Sequence, residues 1–183
     1  VTIFVLFALL ALKIRNVRTI TKLLAAAIVL GIIAWMSSPY LRSRTETLQI
    51  EAQIYEKTNA RTSTGERLEF WKKSAEFMRQ APVIGHGTGS IRTLFEKAAA
   101  GQTGAAGVAA ANPHNQTLAV GIQLGAVGVA VLWAMWVTHL LLFRRNNNFA
   151  AWIGLVIVAQ NITGSLFNSH LFDFHEGWMY VLG

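Results

Sequence analysis

The stretch "NPHNQTLAVGIQLGAVGVAVLWAMWVTHLLLFRR", Asn112 to Arg145, decides the fold. From Leu118 to Phe143 it carries no Asp, Glu, Lys or Arg, and Arg144 and Arg145 end the run. A helix needs about 20 apolar residues to cross a bilayer, and this run exceeds that. One histidine, His114, stands at its mouth after Pro113, and glycines recur behind it at 121, 125 and 128. Gly121 and Gly125 are four apart, the spacing of a small-residue face for close helix packing in lipid.

Composition supports the membrane reading. The chain is 53% hydrophobic and only 14% charged, whereas soluble domains carry about a quarter charged residues. It has no cysteine, which excludes disulfide and thiolate chemistry. The formal net charge is +7. That charge lies between apolar runs, where membrane orientation and anionic lipid explain it better than nucleic acid does.

The expected organisation is an all-α integral membrane protein, a bundle of transmembrane helices with a long, mostly helical external loop. Residues 1–12, "VTIFVLFALLAL", read as the end of one membrane helix and 13–22 as a basic loop. A membrane helix spans 17–39, closed by Ser37, Ser38 and Pro39. Residues 40–113 form the long polar loop. Membrane helices at 114–143 and 149–167 flank a turn at 144–148. A polar patch covers 168–176, and 177–183 starts another helix. With both termini inside apolar runs, the expectation is a piece of a larger membrane protein. Lys13 to Lys22 and Arg144–Arg145 place their loops in the cytoplasm by the positive-inside rule, which puts 40–113 and 168–176 outside. Two outer segments can then meet on one face.

Within the long loop, "TSTGERLEFWKKSAEFMRQAP" reads as an amphipathic helix. Ser63 and Glu66 fit a capping box, and Leu68, Trp71, Ala75 and Met78 share a face. "GHGTGS", Gly85 to Ser90, reads as a turn rather than a phosphate cradle, since the Walker lysine and a surrounding strand are absent. "AAGQTGAAGVAAAN" reads as a flexible Gly/Ala loop.

His114 carries two readings, a helix-boundary residue or a general base. Neutral imidazole accepts a proton near neutral pH. Asn115 is placed to orient the ring or contact a hydroxyl. Arg67 is either a solvated surface charge or a planar, permanently charged clamp for a pyrophosphate. Arg42 and Arg44 stand just outside the membrane boundary, at the level of lipid phosphates, where snorkelling arginines are also ordinary. His170, Asp173, His175 and Glu176 cluster late in the chain, but their spacing fits no zinc signature, so no metal is expected. His139, inside an apolar helix, reads as a packing residue.

The segment "HNQTLAVGIQLGAVG" fits the pattern H-[NSQ]-x9-G-x-x-G through His114, Asn115, Gly125 and Gly128. Upstream, Arg67 is followed by Trp71 and then by P-x-x-G-x-G at Pro82, Gly85 and Gly87. Together, in this order, they resemble the O-antigen ligase and polymerase-like membrane proteins over about Leu23 to Phe167. The family's N-terminal membrane helices would be missing. The resemblance implies a glycosyltransferase fold of the GT-C type in the bacterial inner membrane, multi-pass, with its site on the periplasmic face. The implied donor is a glycan on undecaprenyl diphosphate, and the implied acceptor is a sugar hydroxyl of lipid A–core. No metal, cofactor or nucleic acid is implied. His114 then matches the family's base and Arg67 its diphosphate-contacting arginine. Arg44 matches a second basic residue more loosely. Polymerases joining glycan repeats, and transfer to protein serine, are the nearest alternatives. A transport component is the alternative from another class. A charge inside the spans would favour it, and His139 is the sole titratable group there.

Overall fold

The computed structural model describes residues 17–145 and 148–172, together with Gly177 and Tyr180. The expected helix ends at 1–12 and 177–183, most of the 13–22 loop, and Asp173, His175 and Glu176 lie outside the described residues, Gly177 and Tyr180 excepted. The described residues are helical with no strand: α1 Val17–Ser37, α2 Pro39–Thr58, α3 Ser63–Gln80, α4 Ser90–Ala99, α5 Gln116–Arg145 and α6 Phe149–Ser165. Short 3-10 turns occupy Gly104–Gly107 and His170–Phe172. α1 from Arg18 to Ser37 and α5 are long and apolar enough to cross a membrane.

α1 runs almost directly into α2. Only Ser38 separates them, extended at φ −109°, with its Oγ accepting from Leu41 N–H at 3.3 Å. Proline at the first position of α2 tolerates this, because its missing donor would be unpaired there anyway. α2 then pairs with α3. Glu51 accepts from the Thr64 amide at 3.0 Å and the Thr64 hydroxyl at 2.5 Å. These bonds hold its carboxyl below the usual carboxylate range. A Cβ on Gly65 would lie 2.7 Å from the Tyr55 Cβ, so glycine permits the close crossing.

α3 is capped by Thr62, whose hydroxyl accepts from Gly65 N–H at 3.0 Å; the expected Ser63 cap is one residue late. Glu66 turns to Arg61 instead, at 3.0 Å. The buried face is also rotated from the expected one. Gly65, Glu69, Phe70, Ser74 and Phe77 are buried, whereas Leu68 and Ala75 are exposed. Phe70 and Phe77 present their rings to Phe95 of α4 edge-on, at 5.6 and 5.2 Å between centroids. Ile91, Ala110, Ala119 and Ile122 complete that core.

The apolar run that opens α5 is not one helix. Gly125 has φ +61°, ψ −156°, a region essentially closed to other residues, and it splits the run into 116–124 and 126–145. The loop Pro82–Gly87 fills the break. Ile122 O accepts from His86 N–H at 2.8 Å, and Gln123 O from Gly87 N–H at 2.9 Å. In return, Ala126 N–H donates to Pro82 O at 2.8 Å and Val127 N–H to Val83 O at 3.2 Å. The bonds that a continuous helix would make between these turns are exchanged for bonds to the loop. Gly85 and Gly125 face each other across the exchange. A Cβ on Gly125 would run into the Val83 carbonyl, and one on Gly85 (φ +70°) into the Gln123 backbone. Gly121 sits under Met78 of α3. Gly121 thus keeps the expected interhelical role, against α3, whereas Gly125 makes the break instead.

The break bends α5 sharply. Asn161 Oδ1 of α6 accepts from Trp136 Nε1–H at 3.2 Å, and the carbonyl of Leu166, just past the end of α6, accepts from Asn115 Nδ2–H at 3.2 Å. Those two partners are five residues apart. An unbroken helix would hold Asn115 and Trp136 about 31 Å apart. The first half of α5 must fold back to bring its N-terminus beside the end of α6.

The Gly/Ala loop is anchored rather than flexible. Asn59, in left-handed conformation at the end of α2, donates from Nδ2 to Thr103 O at 2.8 Å. It accepts from Ala105 N–H at 2.8 Å through its carbonyl and from Ala106 N–H at 3.2 Å through Oδ1. Ala105 is fully buried.

Gly125→Ala and Gly85→Ala are expected to destabilise most, by about 1–3 kcal/mol from the torsion alone and more from the collisions. Gly87→Ala shares the positive φ, but its Cβ meets nothing within 4 Å, so its loss should be smaller. Thermal unfolding of the detergent-solubilised variants checks this order.

Candidate active site

His114 is placed by local hydrogen bonding rather than by the helix that follows it. Asn112 Oδ1 accepts from His114 N–H at 2.8 Å, an Asx turn, and also from the Ser169 hydroxyl at 2.7 Å. The turn holds His114 at φ +54°, which few non-glycine residues adopt. Pro113 before it is fully buried. Asn115 caps α5: its Oδ1 accepts from Leu118 N–H at 3.0 Å and its carbonyl from Ala119 N–H at 2.9 Å. The expectation that Asn115 orients the ring is thus replaced by a capping role. The ring is oriented by Asn168, whose Oδ1 lies 3.3 Å from His114 Nδ1, and its face stacks 6.4 Å from Phe70 at 26°.

An amide oxygen facing Nδ1 suits the neutral tautomer protonated there, the form in which Nε2 can accept a proton. Three further bonds fasten the same two segments. Asn115 reaches Leu166 and Asn112 reaches Ser169, as above, while Gln116 Oε1 accepts from Leu171 N–H at 2.9 Å. The described part of the late polar patch therefore meets the His114 segment, as two outer segments on one face would.

Arg67 comes from the first turns of α3. A cavity of about 380 Å³ is lined by Arg61, Thr62, Ser63, Glu66, Arg67, Phe70 and His114, within the range of small-molecule sites. The structure thus brings His114 and Arg67 to one space. Arg67 is exposed and forms no ion pair with the described carboxylates, whereas Arg61 is held by Glu66 at 3.0 Å. Arg42 and Arg44 sit exposed on α2 and do not line this cavity. Sequence reasoning missed Phe70 and Asn168. Phe70 carried a signal, lying three residues beyond Arg67 on a helix; Asn168, 54 residues from His114, carried none.

The Gly85–Ser90 turn offers no phosphate cradle. The His86 and Gly87 amides bond to α5, as described, and Gly89 N–H donates to Gln123 Oε1 at 2.7 Å. Among the described residues no group of three or more His, Asp or Glu is arranged to hold a metal. His139 pairs through Nδ1 with Tyr180 OH at 2.8 Å.

A second, larger cavity of about 860 Å³ opens on the neighbouring face of α3, lined by Tyr55, Lys57, Asn59, Glu69, Lys72 and Lys73 among others. Its floor is a tether between elements. Tyr55 OH donates to the buried Glu69 carboxylate at 2.5 Å, Lys73 lies 3.8 Å from Glu69, and Lys73 Nζ also donates to Ala106 O. Burial, with the Glu69 carboxylate beside it, pushes the Tyr55 hydroxyl up to about 12. Burial lowers the Lys73 ammonium. Of the two cavities, only the smaller is lined by an imidazole.

The chain matches the model of the O-antigen ligase family over residues 1–133. It belongs to that family. A protein of Haemophilus influenzae described as uncharacterized is 28% identical over 129 residues, 68% of this chain and 32% of that protein. The chain thus spans about a third of the length of that relative. Both motif halves, with His114, Arg67, Gly85 and Gly125, fall inside the matched residues; Asn168 falls beyond them.

Because the Tyr55 hydroxyl is harder to ionise folded than unfolded, its contribution to stability is present below about pH 10 and is lost as pH rises towards 12. Tyr55→Phe should flatten stability across that window. Denaturant midpoints of wild type and variant at pH 9, 10 and 11 check it.

Proposed function

We propose that the His114 cavity is the reaction centre of an O-antigen ligase-like glycosyltransferase. In this reading it moves a glycan from undecaprenyl diphosphate to a sugar hydroxyl of lipid A–core. The observation that carries it is the cavity itself. It pairs an imidazole held at Nδ1 by Asn168 with a guanidinium that makes no ion pair with a described carboxylate.

The chemistry uses those two groups and no metal. Nε2 of His114 takes the proton from the acceptor hydroxyl as its oxygen attacks the anomeric carbon. The bond from that carbon to the phosphate oxygen breaks, and the diphosphate leaves with the electron pair. Arg67 meets the charge that develops there with a planar fork of donors. A general base contributes typically 10²–10⁴-fold; positioning and charge stabilisation supply the rest. Single displacement inverts the anomeric configuration.

The bend in α5 sets the depth. Residues 126–145 form a helix about 30 Å long, the thickness of the hydrocarbon core. Because the first half of α5 folds back, His114 meets the end of α6 rather than standing a further helix-length from the bilayer. In the proposed orientation, with Arg144 and Arg145 cytoplasmic, this puts the imidazole at the outer-leaflet end of the spans, within reach of the diphosphate of a lipid-linked donor. The site is periplasmic in this reading, and the architecture is that of a GT-C enzyme in the inner membrane. Exposed Arg42 and Arg44, at the membrane-proximal start of α2, are placed to meet lipid phosphates rather than the reacting bond.

In the full-length protein, His114→Ala should lower transfer from a lipid-linked glycan to lipid A–core by at least about 10²-fold, with membrane insertion unchanged. Arg67→Lys should also slow transfer, because a point charge replaces a fork. Asn168→Ala should reduce transfer less than His114→Ala while changing the pH–rate profile, since Nδ1 loses its acceptor. Wild-type rates for His114→Ala would remove the imidazole as base. Chelator is expected to leave the rate unchanged; loss restored by a divalent ion would bring a metal into the reaction.

A further inference from the structure

We propose that the tip of the Pro82–Gly87 loop, Val83 and Ile84, is immersed in the hydrocarbon of the outer leaflet. The external helical insert would then touch the bilayer beside the reaction centre as well as through its flanking spans.

The two side chains are 61% and 75% exposed, although they lie in the loop most firmly bonded to the apolar helix α5. Their surroundings are apolar. Val127 and Val131, spaced to share one face of the second half of α5, are also exposed, as is Leu124 just before the break, and the Val83 carbonyl is bonded to Val127 itself. Below them the outward face of 126–145 continues through Trp133, Val137, Leu141 and Leu142 with no charge before Arg144. Val83 and Ile84 extend a lipid-facing stripe at its outer end.

Depth agrees. Val127 lies 17 residues from Arg144, or about 26 Å along the helix, still inside a hydrocarbon core of about 30 Å. Non-helical backbone is tolerated at that depth only where protein satisfies its polar groups. Here Pro82 O, Val83 O and the amides of Gly85, His86 and Gly87 are all hydrogen-bonded, Gly85 N–H to Ala81 O at 3.2 Å and the others to α5. These five backbone groups are engaged while the aliphatic side chains at the tip are bare, a combination that suits hydrocarbon better than water. Large exposed apolar patches on a protein mark a partner surface; continuity with the span identifies this partner as lipid chains.

The inference rests on 126–145 spanning the bilayer and is independent of the chemistry at His114. Spin labels test both parts. The chain has no native cysteine, and cysteines elsewhere in the full-length protein would be replaced by serine. Labels at Ile84→Cys, Val131→Cys and Lys72→Cys in vesicles of phosphatidylethanolamine and phosphatidylglycerol would be relaxed by oxygen and by a water-soluble nickel chelate. Val131→Cys should be oxygen-accessible and nickel-protected, and Lys72→Cys the reverse. Ile84→Cys should resemble Val131→Cys, with an oxygen-to-nickel ratio several-fold above that at Lys72→Cys. Nickel access equal to Lys72→Cys would overturn the proposal, as would protection from both reagents, which would mean that protein outside this chain covers the tip. Nickel access at Val131→Cys would overturn the span itself.

Discussion

The exchange of hydrogen bonds at Gly125 is the constraint on which the rest of the structure depends. A helix in an apolar setting cannot leave two carbonyls and two amides unpaired, because each would lack a partner that water could otherwise supply. The break at Gly125 survives because the Pro82–Gly87 loop takes both carbonyls and returns two of its own. Removing either side leaves the other with buried, unpaired backbone. The loop and the helix therefore define one another, and Gly85 and Gly125 are glycines because their backbones approach too closely for a Cβ.

From that exchange the site follows. The loop is the direct continuation of α3, so fixing it to α5 fixes the helix that carries Arg67 against the segment that carries His114. The aromatic core of Phe70, Phe77 and Phe95 fills the space between them and gives the imidazole a face to stack on. The bend brings Asn115 and His114 to the end of α6, where Asn168 and Leu166 receive them. Three stretches distant in sequence, around residues 67, 114 and 168, are gathered by a backbone exchange on one side and by side-chain hydrogen bonds on the other.

Much of this was legible in the sequence. Apolar periodicity and length located the helices, and the two glycine-containing motifs marked the segments that interlock. What the motifs did not disclose was that they bind each other. A glycine inside an apolar run reads equally well as a packing surface or as a break, and only the partner loop distinguishes them. The face of α3 was misread because Leu68 and Ala75 are apolar yet exposed, while Glu69 is charged yet buried by its bonds to Tyr55 and Lys73. The Gly/Ala loop was misread because its order comes from one distant asparagine, Asn59. Asn168 was invisible for a similar reason: local pattern carries no trace of a partner 54 residues away.

The junction at Ser38 has a mechanical consequence. This chain buries very little of α1, yet a single residue joins it to α2. α2 in turn grips α3 through Glu51, Thr64 and the Tyr55–Glu69 bond. In the proposed reading, a rod that tilts with bilayer thickness is thereby geared to the helix that presents the guanidinium, so the width of the proposed reaction gap would follow the lipid around it.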